Sequence, residues 1–182
     1  LLPVFFAVCH RMVPFFSQNA VPGYVAWRPA WVLTAVVALA WARLLLGTAG
    51  ALQLLVPVDA ALTVLTGLCA VRWTTLRARG NRLLWTLYAG YAWLPLAMLL
   101  QTARDASFAL TGEWALGRAP IHALGMGFFG GLLIAMVTRV TMGHSGRPLA
   151  MDRVAFACFA AVQAAALARV LSEVIAAPAA IQ

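Results

Sequence analysis

Apolar residues in this chain come in long unbroken runs. They show neither strand alternation nor the one-sided spacing of a water-facing helix. A helix needs about 20 mostly apolar residues to cross a bilayer. Five runs meet that length: Trp31 to Ala51, Leu54 to Trp73, Leu83 to Thr102, Pro120 to Met142, and Val154 to Ala177. A sixth, incomplete run covers Leu1 to Cys9. Lipid offers the backbone no hydrogen-bond partners, so segments that satisfy themselves as helices are the default. The pattern predicts an all-α, polytopic integral membrane helical bundle. It has about five complete transmembrane helices plus a truncated N-terminal one, forming one transmembrane domain over 1–182. The chain opens in mid-run with a leucine. It therefore reads as a fragment, or the C-terminal part, of a longer protein, with the missing N-terminal part as an expected partner. Pro57 and Pro95 fall inside runs and are expected kink points.

Composition names the solvent. Of the residues, 64% are hydrophobic and 10% charged, with a mean hydropathy of +0.90. A soluble domain carries roughly 25% charged residues, so membrane lipid is the expected partner of this surface. The net charge is +8, and all 13 basic residues are arginine. On a soluble protein this would suggest nucleic acid. Here the arginines sit between apolar runs, so topology explains them and no nucleic-acid partner is expected. Arg11, Arg28, Arg72, Arg77, Arg79, Arg82, Arg147 and Arg153 fall on one side of the predicted spans. Only Arg104 and Arg118 fall in connections on the other. Positive charge is retained inside, so the first side, which holds His10 to Pro29, is the cytoplasmic one. The cysteines, Cys9, Cys69 and Cys158, are isolated and argue against a disulfide framework.

This orientation sorts the candidate ligands. His10 and His144 fall at cytoplasmic span ends, and His122 at the external end of the span that His144 closes. At 1.5 Å per residue, His122 and His144 stand about 33 Å apart on a continuous helix. They cannot share a metal ion, whereas His10 and His144 can meet. Two sites are therefore expected, one on each face. Imidazole suits haem iron, copper and zinc alike, though a histidine wetted by headgroups is the plainer reading of His122. Met126, one turn on, is a core or lipid-facing residue unless its thioether binds copper or haem iron.

Ala123, Gly127, Gly131 and Ala135 recur every four residues in the same span. Small residues at this spacing let helix backbones approach closely. Close packing is the first reading, and approach to a flat cofactor the second. Arg139 either snorkels to headgroups or pairs with an anionic group. The turn Gly143-His144-Ser145-Gly146-Arg147-Pro148 is denser in special residues than a plain connection requires. Cys9-His10-Arg11-Met12 brings thiol, imidazole and thioether together, but neighbours on a helix point about 100° apart. At most one or two of them could share a metal. Asp59 could take a proton or partner Arg43, and Arg169 and Glu173 are spaced to pair. No P-loop, GxSxG or HExxH occurs, and no catalytic residue stands out.

Two stretches together resemble a known family. FFAVCHRMVPFFS, from Phe5 to Ser17, and IHALGMGFFGGLLIAMVTRVTMGHSGRPL, from Ile121 to Leu149, are similar to the NnrS family. These are multi-pass bacterial inner-membrane proteins linked to denitrification and nitric oxide tolerance, described as containing haem and copper. They are roughly twice this length, with about twelve helices. The resemblance implies that His10, His122 and His144 ligate haem iron or copper. It implies that Arg11, Arg139 and Arg147 balance haem propionates or an anionic ligand. Cys9 is a further copper candidate. Nitric oxide or another small molecule is the implied ligand. Two readings compete: a membrane transporter of a small solute or metal complex, and a membrane haem oxidoreductase.

Overall fold

The computed structural model describes residues 1–146 and 150–176, apart from the side chain of Arg79. Among them the chain is helical, with no strand. Helix α1 covers Leu2–Ala20, α2 Ala30–Thr48, α3 Leu55–Trp73 and α4 Arg82–Thr111. Helix α5 covers Ala119–His144 and α6 Arg153–Ala176. Five of these, α2 to α6, are long and apolar enough to cross a membrane. The protein is a multi-pass membrane bundle.

Two helices run further than their apolar patterns suggest. The first does not end at Cys9 but continues through Arg11 to Ala20, which puts His10 near its middle. Val13, Pro14 and Ser17 are buried in this extension. Ser17 Oγ donates to the Val13 carbonyl at 2.8 Å and meets Tyr88 Oη of α4 at 2.8 Å. Packing on α4 therefore carries the helix past a proline at position 14, where one intrahelical bond is lost. Helix α4 continues beyond Thr102 to Thr111, because Asp105 in the added turns is buried against its neighbours. Asn81 caps its start by accepting from Leu84 N–H, and Gly112, at φ 77, ends it in the left-handed region. Pro95 lies inside α4, whereas Pro57 falls in the first turn of α3, where no intrahelical donor is needed.

Helix α4 is the axis of the bundle. It packs against α1, α3, α5 and α6, while α2 leans on α1 and α3. The faces turned away from it are apolar. Trp31, Trp41, Leu44, Leu45, Val137 and Val140 are exposed, as expected where lipid is the solvent.

The small-residue stripe of α5 lies on its buried face. Ala123, Gly127, Gly131 and Ala135 are all buried. A β-carbon added at Gly90 of α4 would stand 3.1 Å from the backbone of Gly131 and Leu132. The two helices thus touch backbone to backbone. The packing reading of these glycines holds. Residues Ala123–Gly130 form a π-helix inside α5. In an α-helix an every-fourth-residue stripe drifts by about 40° per step. The stripe nevertheless stays buried through the π segment and the α turns after it.

Candidate haem and metal ligands

Each end of the bundle carries polar side chains. At the end opposite the arginine-rich connections, the outer end, His122 closes the first turn of α5, directly before the π segment. Its Nε2 is buried and has no hydrogen-bond partner. The nearest carboxylate, Glu173 of α6, holds its Oε1 3.7 Å away, too far for a hydrogen bond. Glu173 Oε2 instead accepts from the Arg118 backbone N–H at 3.0 Å. The expected Arg169–Glu173 pair is thus replaced by a bridge from α6 to the start of α5, and Arg169 is exposed. This bridge was not visible in the sequence. The only signal was that His122 and Glu173 approach the same face on different spans. Met126, within the π segment, is half-buried.

His10 sits in a different setting. It is 6% exposed and packs against the rings of Phe6 and Trp73, which also contact each other. Its Nε2 lies 3.1 Å from the carbonyl of Pro29, the residue just before α2. A carbonyl only accepts, so Nε2 carries the proton and Nδ1 keeps its lone pair. That is the tautomer a metal-bound histidine adopts when a backbone carbonyl orients it. Trp73 Nε1 donates to the Trp27 carbonyl at 2.9 Å, which holds the same connection in place. Tyr24 Oη donates to the carbonyls of Arg72 and Trp73 at 3.3 Å. Burial pushes its phenol up to about 12, so it stays a donor at neutral pH.

Arg139 places its guanidinium 3.8 Å over the ring of Phe16, a cation–π contact between α5 and α1. Arg11 and His144 are exposed, and Arg147 lies outside the described residues. The register of α1 on α5 separates the histidines. Phe5 meets Phe128 and Phe16 meets Arg139, both pairs 123 residues apart. The two helices run parallel, and His10 falls level with Leu133. Cys9 accordingly lines a small cavity with Leu132, Leu133 and Met136. His10 lies about 16 Å along the helix axis from both His122 and His144. The structure brings Arg139 onto the helix of His10 but does not bring His10 to His144. His10 thus lies at the ends of α2 and α3, against Pro29 and Trp73, and short of His144 along α5.

Among the described residues no three His, Cys, Asp or Glu side chains gather as a metal site. The orphaned Nε2 of His122 and the free Nδ1 of His10 each fit one coordination bond. One histidine suffices for an axial haem ligand, whereas copper held by these residues needs further donors. Cys9 and Cys69 are buried thiols beside Tyr91, and neither lies in a cluster of that kind.

No curated protein and no solved structure matches the chain. A family model described as NnrS protein matches residues 1–182, and the chain belongs to the NnrS family.

Proposed function

We propose that this chain belongs to a haem- and copper-binding membrane protein of the bacterial cytoplasmic membrane, acting in nitric oxide tolerance or denitrification. Family membership supports the nitric oxide connection. The observation that carries the ligand reading is His122 Nε2, buried at a span end without a partner. A buried imidazole nitrogen left without a bond costs about 1–3 kcal/mol, and a metal bond would remove that cost. His122 would hold haem iron or copper at the outer end, with Glu173 beside it to balance positive charge. His10 Nδ1 is the second candidate donor, and His144 the candidate at the inner end. Arg11, Arg139 and Arg147 supply positive charge for propionates or a small anion. Bound haem would supply a coordination position for nitric oxide or a similar small ligand.

The chain's own residues supply orientation. Pro29 fixes the His10 tautomer, and Glu173 ties α6 to the turn that carries His122. The test is an optical spectrum of the purified membrane protein with metal analysis on the same sample. A Soret band with bound copper is expected. A folded, colourless and metal-free protein would overturn the reading. The transporter of a small solute or metal complex would then take its place.

A further inference from the structure

Helices α2, α3 and α4 meet at the outer end through one arginine and two aspartates. Asp59 is 0% and Asp105 2% exposed. Arg43 Nε donates to Asp59 Oδ1 at 2.6 Å, and Arg43 Nη2 lies 3.5 Å from Asp105 Oδ2. Gln101 Nε2 donates to Asp105 Oδ1 at 2.9 Å. Each carboxyl therefore has one oxygen that accepts a good hydrogen bond. The remaining oxygens, Asp59 Oδ2 and Asp105 Oδ2, are buried and accept none. Arg43 reaches both carboxyl groups through two nitrogens of one guanidinium, which sets them side by side.

Two fully ionised carboxylates here would leave one net negative charge buried against a single guanidinium. Both Oδ2 atoms would also be left without a donor. One added proton removes both faults. Bound to one Oδ2 and donated to the other, it satisfies both oxygens and brings the cluster to neutrality. The geometry points to a shared-proton site, in which Asp59 and Asp105 hold one proton between their Oδ2 atoms and Arg43 balances the remaining charge. A metal cation is disfavoured, because the guanidinium already occupies the cluster and no third ligand of the metal-binding kind joins it.

The site has a route to exchange. Arg43 and Gln101, its two donors, also line a cavity of about 560 Å³ with Arg104. Arg43 from α2 and Arg104 from α4 are the charged side chains facing it. Leu2, Pro3 and Val4 of α1 bring only apolar groups. Loss of the proton would set two carboxylates against each other at the joint between α3 and α4. The proton thus holds that joint closed, and its exchange couples helix packing to pH at the outer face. This assignment does not depend on haem or copper.

Infrared spectroscopy of the full protein in detergent tests it. At neutral pH the protein is expected to show the C=O stretch of a buried protonated carboxyl. That band should move in D2O and shift when aspartate is carbon-13 labelled. Of the three aspartates in this chain Asp152 is exposed, so substitution of Asp59 and Asp105 assigns the labelled band to the pair. Asp59→Asn and Asp105→Asn should each abolish it. Absence of the band at neutral pH overturns the proposal, and so does a band indifferent to aspartate labelling. The labelled wild-type protein decides the matter if either variant fails to fold. A band that survives both substitutions in folded protein also refutes it.

Discussion

Two glycines in the π segment of α5 offer a controlled test of how the bundle is joined. A β-carbon added at Gly127 would lie 2.3 Å from the indole of Trp93. At Gly125, two residues earlier, it would meet nothing within 4 Å. Both positions sit in the same π segment. Gly127→Ala and Gly125→Ala therefore share the gain from removing a flexible glycine, at most about 1 kcal/mol. They differ in packing. Alanine at 127 must displace Trp93, whose indole N–H donates to Gln163 of α6. Overpacking costs about 1–3 kcal/mol, and the lost hydrogen bond adds about 1 kcal/mol. Gly127→Ala should thus be less stable than Gly125→Ala by about 2–4 kcal/mol, a factor of roughly 30 to 1,000 in the unfolding equilibrium. Unfolding in mixed micelles of mild detergent and dodecyl sulfate, followed by far-UV circular dichroism, measures the difference. Equal stabilities would show that Gly127 is not where α4, α5 and α6 lock together.

Two further outcomes are expected. Arg43→Met leaves the two buried carboxyls without their counter-charge. Breaking a buried pair costs about 3–5 kcal/mol, and the low end applies because Arg43 keeps 32% of its side chain exposed. A fall in thermal midpoint checks it, and an unchanged midpoint would refute the clamp. For topology, the exposed Glu113→Cys and Arg77→Cys, made with Cys158→Ser, are treated in intact cells with a membrane-impermeant maleimide. Labelling is expected at position 113 and not at 77, and the reverse would invert the orientation read from the arginines.

The spans were legible in the sequence because apolarity over about 20 residues is a local property. The Ala123–Gly131 stripe was legible for the same reason, since small residues every fourth position need no partner to be seen. The extension of α1 was not. Arg11, Ser17, Gln18 and Asn19 make the segment resemble a connection, and only the Ser17–Tyr88 contact with α4 shows why it stays helical. Asp105 lies beyond the apolar run that ends at Thr102, and its charged partner Arg43 comes from a different helix. For the candidate site, the histidines themselves stand out as rare polar groups in apolar runs. Their depths do not, because the parallel register of α1 on α5 is a tertiary fact.

That register makes the ligand reading directly testable. His122 sits half-buried at the outer end with its Nε2 unpartnered, and His144 is exposed at the inner end of the same helix. The most direct measurement compares the optical and electron paramagnetic resonance spectra of His122→Ala and His144→Ala with those of the wild-type protein. His122→Ala should remove or alter one haem or copper signal, and His144→Ala should leave that signal in place. Loss of the same signal to the same extent in both folded variants, or no change in either, would contradict the placement of ligands at separate depths.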